Sequence, residues 1–265
     1  MAGVFRDPLG RQGDEAVMDA YTHLDMSAPD PIAEFQLRLS SSGIDRALVV
    51  EKWSGDNRLC LERIVNSPLP EFRVAPCFRP EAGLPSADFL SEDAVIALRV
   101  KTADLPLLGE MGNSLESSKK WLVVHAEKGI AALVRQLISI RKRHQQLRVY
   151  VPHLGWPRKE GVDDKDWEGA IMELSQIRGI VIGISAIAHF SREPFPHNDV
   201  APFASRLLQL FSSECLAVGS DYPMFEKDRY AAYMGLAIKW VYRTVPKWSP
   251  ILESDCFSNH LPPSR

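Results

Sequence analysis

Short apolar runs and longer amphipathic stretches alternate along the chain. Eight runs rich in Val, Ile, Leu and Ala read as strands, at 17–24, 45–52, 72–78, 94–100, 121–126, 147–154, 179–187 and 215–220. Between most of them the apolar residues return every three or four positions, most clearly over 129–144, 166–178 and 199–211, the period of a helix with one buried face. Strands that are apolar almost throughout are buried on both faces, as in an α/β arrangement of parallel strands covered by helices. Eight such repeats in 265 residues predict a closed (β/α)8 TIM barrel, read as a single domain over 1–265. The competing architecture is a doubly wound open sheet. Against it, no Gly-x-Gly-x-x-Gly turn follows the first strand and no Walker A loop occurs. Pro and Gly fall mostly at the junctions, and no long linker marks a boundary.

Composition narrows the function classes. A hydrophobic share of 45% and a charged share of 25% exclude a disordered or collagen-like chain. The formal charge is −3 with both signs mixed along the sequence, so no nucleic-acid footprint is present. The densest basic run, Arg141-Lys142-Arg143-His144, closes a helical stretch and reads as a solvated face favoured by the helix dipole. The N-terminus lacks an apolar signal core, and the longest apolar-rich run, 180–188, is far short of the roughly 20 residues that cross a bilayer. A soluble, cytoplasmic chain acting on a small molecule is expected, with no membrane and no nucleic-acid partner. Cys60, Cys77, Cys215 and Cys256 show no CxxC spacing and read as small buried residues. Trp240, Val241, Tyr242 and Trp248 serve either packing on the barrel or a contact between copies of the chain.

In a parallel barrel the chemistry sits at the C-terminal ends of the strands. Several strands here end on ionisable or metal-binding side chains. The first carries Asp19, Tyr21 and His23, whose alternation predicts one shared face of an extended strand. The fifth ends at His125, the sixth at His153 and the eighth at Asp221. Imidazoles and a carboxylate converging on one mouth suit a zinc-type hydrolytic centre with three protein ligands and one open position.

These segments carry a resemblance. Met18-Asp19-Ala20-Tyr21-Thr22-His23, Val124-His125-Ala126, Val151-Pro152-His153-Leu154-Gly155-Trp156-Pro157 and Val218-Gly219-Ser220-Asp221-Tyr222-Pro223 resemble the signature strands of the amidohydrolase-related TIM-barrel hydrolases. That branch includes lactonases and decarboxylases of the amino-carboxymuconate-semialdehyde type. The resemblance is clearest over 18–225. It implies that His23, His125 and Asp221 hold a divalent metal, zinc foremost, that Asp221 also takes the proton of the attacking water, and that His153 polarises the substrate or helps activate water. Ala97-Leu98-Arg99 and Phe78-Arg79-Pro80 resemble two further strand ends of the family, and their guanidiniums suit a bidentate grip on a carboxylate.

The chain departs from the family at one position. The first-strand motif is His-x-His, and Tyr21 stands in place of the first His. A phenol with a reference pKa of about 10 is a poor ligand at neutral pH, which predicts weak or absent metal. Without metal, His153, His125 and Asp221 supply acid-base chemistry, Tyr21 a hydrogen bond to a developing oxyanion, and Arg99 an electrostatic clamp. Three readings follow: a hydrolase of a small lactone, cyclic ester or amide bearing a carboxylate; a non-oxidative decarboxylase; and a ligand-binding barrel without chemistry. Of the remaining residues, Trp156 is placed to stack on a planar ligand and Lys52 and Trp53 to line the mouth. Ser185 is expected to make structural hydrogen bonds, and His189 and His197 to sit in or beside a lid loop over 190–200.

Overall fold

The computed structural model describes residues 17–244 except 68, 83–85, 158–163, 213–214 and 226. Eight strands occupy the eight apolar runs: β1 (Met18–Thr22), β2 (Arg46–Val50), β3 (Phe72–Ala75), β4 (Ala97–Lys101), β5 (Trp121–His125), β6 (Arg148–Val151), β7 (Ile180–Ile184) and β8 (Leu216–Val218). The helices between and after them are α1 (Pro31–Ser41), α2 (Arg58–Asn66), α3 (Ala87–Ser91), α4 (Gly109–Ser117), α5 (Val134–Arg143), α6 (Asp164–Leu174), α7 (Ile187–Phe190), α8 (Ala201–Leu210) and α9 (Tyr230–Thr244). Local chemistry explains where two of them start, α1 and α3, each opened by a side-chain cap. In α1, for example, the Asp30 side chain accepts the backbone N–H groups of Ile32 and Ala33, Pro31 opens the first turn, and Ile32, Phe35 and Leu39 form the buried stripe.

Every strand pairs parallel to the next, in ladders β1-β2-β3 and β4-β5-β6-β7-β8. Backbone hydrogen bonds bridge both gaps between the ladders. On one side Val74 N donates to Ala94 O at 2.8 Å and Arg99 N to Pro76 O at 2.7 Å; on the other Asp221 N donates to Tyr21 O at 2.9 Å and His23 N to Tyr222 O at 2.7 Å. The strands surround an interior in which Tyr21, Trp121 and Tyr150 are packed among Ala20, Ala75, Ala97, Ala217 and valines, bulky side chains filling the space that small ones leave. A second apolar layer lies between strands and helices. Trp240 packs in that layer, Cys60 and Cys77 are buried, and Cys215 is partly exposed. The side chains of Val241 and Tyr242, and residues Trp248 and Cys256, lie outside the described set.

β1 is irregular where the site begins. Asp19 is opposite Ala47 and Thr22 opposite Val49, so three steps along β1 match two along β2. This bulge breaks the alternation expected of Asp19, Tyr21 and His23. Ala20 and Tyr21 both pack in the interior, whereas Asp19 turns to the helix side and accepts a hydrogen bond from Tyr230 of α9 at 2.9 Å.

Among the described residues no helix is long and apolar enough to cross a membrane.

Candidate active site

One rim of the barrel gathers the ionisable side chains. His125 ends β5, while His23, His153 and Asp221 follow β1, β6 and β8 within three residues. With Arg99, Lys52, Trp53, Trp156 and His189 they line a cavity of about 340 Å³. The backbone at this rim adopts a conformation that non-glycine residues rarely take. His153, Leu154 and Trp156 have φ between +56° and +62°, Ala186 is at +55° and Asp221 at +63°. Each such residue costs about 1–3 kcal/mol, and the strain turns the chain sharply so that side chains after the strands face the mouth.

Asp221 is the centre of the arrangement. Its Oδ1 lies 3.9 Å from Nε2 of His23 and 3.9 Å from Nε2 of His153, too long for direct hydrogen bonds. The other ring nitrogens are committed. His23 Nδ1 donates to the Val50 carbonyl at 2.7 Å, which leaves an acceptor lone pair on Nε2. His153 Nδ1 is 3.1 Å from Ser185 Oγ, and that oxygen accepts the His153 backbone N–H at 2.9 Å. The Ser185 proton is thereby free to go to Nδ1, placing the imidazole proton on Nε2.

Arg99 is the cation buried at this mouth. Its Nη1 donates to the Glu51 carbonyl at 2.6 Å and its Nη2 to His125 Nδ1 at 3.3 Å, and its guanidinium lies 4.2 Å from the centroid of the Trp53 ring. Burial governs the charges around it. Desolvation pushes the Asp221 carboxyl up to about 8, against the pull of Arg99 and with Asp19 adding to the rise. Burial and then neighbouring cations push the imidazoles down, His23 to about 3 and His153 well below its ordinary value. The proton of this group therefore sits on Asp221 and both imidazoles are neutral. Burial likewise raises the Tyr21 phenol, which stays protonated.

Residues 84–239 match the amidohydrolase family model, more than half of the chain. The chain belongs to the amidohydrolase family. Solved structures share its fold. This amidohydrolase superposes on a probable 2-pyrone-4,6-dicarboxylic acid hydrolase from Acinetobacter baumannii with citric acid bound, at 18% identity over 86% of this chain and 92% of that one, with a TM-score of 0.66. An amidohydrolase from Burkholderia multivorans with zinc bound gives 14%, 92%, 96% and 0.65, in the same order. The 5-carboxyvanillate decarboxylase from Sphingomonas paucimobilis gives 11%, 87%, 98% and 0.57. No curated protein matches the sequence.

The structure brings six of the eight sequence-predicted residues to the cavity: His23, His125, His153, Asp221, Arg99 and Trp156. Trp156 packs its ring against those of His125, His153 and His189 at 5.0, 5.8 and 5.3 Å between centroids. Tyr21 is placed differently from expectation. It is fully buried under the mouth, edge-on to His23 at 5.4 Å and to His153 at 4.5 Å, because the β1 bulge turns it into the interior. It spaces the two imidazoles and does not line the cavity. Arg79 also departs from expectation, since Glu51 holds its Nη2 at 2.9 Å and the Trp53 carbonyl its Nη1 at 3.0 Å. Its guanidinium is thus taken up in a structural ion pair beside the mouth.

Glu51 was not foreseen. Its buried carboxylate fixes Arg79 and accepts the Cys77 N–H at 2.7 Å, and its carbonyl holds Arg99. The signal was a charged residue at the end of an otherwise apolar strand. His197 is likewise removed from the cavity, with its Nε2 3.0 Å from Tyr233 Oη, while His189 reaches it.

Amidohydrolases typically bind a divalent metal, and the Burkholderia structure holds zinc. The donors here do not fit one. Among the described residues no three His, Cys, Asp or Glu side chains are grouped to hold an ion. The reason is chemical. A buried neutral phenol stands where the family has an imidazole, and the Nδ1 lone pair of His125 is taken by Arg99, a cation at the same mouth.

Proposed function

We propose that this mouth hydrolyses a small carboxylate-bearing lactone or cyclic ester, with the lactone favoured over an amide because its carbonyl is more electrophilic. The observation that supports this most is the placement of Asp221 Oδ1 equidistant from one imidazole nitrogen that accepts and one that donates. In the ionised form of Asp221, which grows as pH rises through about 8, a water set against the carboxylate gives it one proton and directs the other to His23 Nε2, so its lone pair faces the substrate. The carbonyl oxygen takes the His153 Nε2–H, and Arg99 offsets the charge that develops as the tetrahedral centre forms. The proton held by Asp221 then returns to the leaving alkoxide. Lys52, Arg99, Trp53 and Trp156 line an electropositive, aromatic cavity suited to a small anion.

The test is a panel of aryl lactones, cyclic esters and their carboxylated analogues, run in 18O-labelled water. The reading predicts one 18O atom in the product, no carbon dioxide, and a loss of about 100-fold or more in kcat for His153→Ala and in kcat/KM for Arg99→Met. Carbon dioxide release without 18O incorporation would make the chain a decarboxylase, the reading that the Sphingomonas likeness favours. Binding without turnover, unmoved by His153→Ala, would leave a non-catalytic barrel.

A further inference from the structure

A carboxylate that the hydrolytic reading does not use lies directly behind the site. Asp19 is completely buried, yet it faces no cation within ion-pair distance among the described residues. Its Oδ1 accepts the backbone N–H of Ser220 at 2.8 Å and of Tyr21 at 3.3 Å, and its Oδ2 accepts the hydroxyls of Ser220 at 2.6 Å and Tyr230 at 2.9 Å. Burying a carboxylate is unfavourable, and an apolar side chain at a strand–helix contact is the ordinary alternative. What the carboxylate gains here is order at one place. The bulge removes a regular rung from β1, and the side chain of Asp19 takes over as acceptor for the backbone on both sides of the seam between β1 and β8.

The consequence reaches Asp221 through the next residue. Ser220 Oγ donates to Asp19 and accepts the Tyr222 N–H at 3.0 Å, so the turn that contains Asp221 is tied at both ends to one carboxylate. Asp221 N donates to Tyr21 O, and Asp221 is held at a φ of +63°, in the left-handed region. Tyr21, whose N–H the same carboxylate accepts, is the ring that spaces His23 from His153. We infer that Asp19 is a positioning residue, which through Ser220 and Tyr21 sets the direction of Asp221 and the separation of the two imidazoles from it. This inference rests on the hydrolytic reading for its effect on rate, while its geometric content stands independently.

The test compares Asp19→Asn, Asp19→Ala and Tyr230→Phe in the full chain, using whichever lactone or ester the wild type hydrolyses. Asn keeps an acceptor for the two backbone N–H groups. Tyr230→Phe removes one bond to Oδ2 and leaves the seam intact. The expected result is a loss in kcat of about 100-fold for Asp19→Ala, about tenfold for Asp19→Asn and under threefold for Tyr230→Phe, with KM changed by less than about threefold throughout. A purely structural role lowers the melting temperature of all three and leaves kcat of the folded protein unchanged. Folded Asp19→Asn or Asp19→Ala with kcat within about twofold of wild type would overturn the inference. Should Asp19→Ala fail to fold, Asp19→Asn carries the comparison. Should the wild type turn over nothing, the hydrolytic reading fails, and crystal structures of wild type and Asp19→Asn decide the geometry. The two 3.9 Å separations at Asp221 Oδ1 are expected to change by about 1 Å in the variant, and unchanged separations refute the inference.

Discussion

Two carboxyl groups, Asp19 and Asp221, are buried at the seam between β1 and β8; burial raises the proton affinity of both, and Asp19 adds to the rise at Asp221. Asp19 gives the cleaner prediction at the residue scale. Burial pushes its carboxyl up to about 6 in spite of the hydrogen bonds from Ser220, Tyr230 and Tyr21. An acid whose pKa is raised on folding binds its proton more tightly in the native state, so its contribution to stability is complete below the unfolded value near 4. That contribution is lost as pH rises through about 6. Two pKa units correspond to about 3 kcal/mol at most. Urea unfolding of wild type and Asp19→Asn at about pH 4.5 and about pH 7.5 tests this, because Asn does not ionise: the stability difference is expected to move by about 1–3 kcal/mol in favour of Asn at the higher pH. A difference that stays constant would mean that Asp19 keeps an ordinary carboxylate affinity. The same residue shows where the sequence is mute. His23, His125, His153, Arg99 and Asp221 were legible because polar residues at the ends of apolar strands have few structural uses. The alternation that put Asp19 on the face of Tyr21 failed because a bulge inserts one residue without any mark in the side-chain pattern.

At the scale of elements, all eight strands and the three clearest helices were readable from periodicity, since parallel strands buried on both faces leave unbroken apolar runs. The way strands approach one another was not readable, because it depends on backbone separation. Gly219, just past β8, shows this. A Cβ there would sit 2.8 Å from Tyr21 N and 3.0 Å from Tyr21 Cβ, which forces β8 away from β1 at the seam that carries Asp221. Gly219→Ala is expected to cost about 2–4 kcal/mol in urea unfolding and to lower activity beyond the loss of folded protein. Gly169 in α6 makes the contrast. A Cβ there meets nothing within 4 Å, so Gly169→Ala is expected to stabilise the protein by about 0.5–1 kcal/mol through helix propensity alone. If both substitutions destabilised equally, the close approach at the seam would not be what requires glycine.

The whole molecule is the scale on which a metal would matter most, since a bound ion would join β1, β5 and β8 across the mouth and bind the native state only. Such an ion at 100 times its Kd adds about 2.7 kcal/mol to stability, and in a chain of this size each kcal/mol moves Tm by about 2–4 °C. The native arrangement argues against that cross-link. The buried Tyr21 phenol stays protonated, Arg99 takes the His125 Nδ1 lone pair, and the mouth is already spanned by Arg99 held between Glu51, His125 and the Trp53 ring. Thermal unfolding after dialysis against a chelator, and again with excess zinc, is expected to give the same Tm within about 1 °C. A rise of about 5 °C or more with zinc would show that His23, His125 and Asp221 close on an ion when one is offered, and would overturn the metal-free reading of the site. The converse is built from the same reasoning. Combining Tyr21→His with Arg99→Met replaces the phenol by an imidazole and releases the His125 nitrogen, so this double variant is expected to gain a zinc-dependent rise in Tm that the wild type lacks. If neither single substitution produces that rise and the pair does, the phenol and the guanidinium are jointly what keep a divalent ion from this barrel.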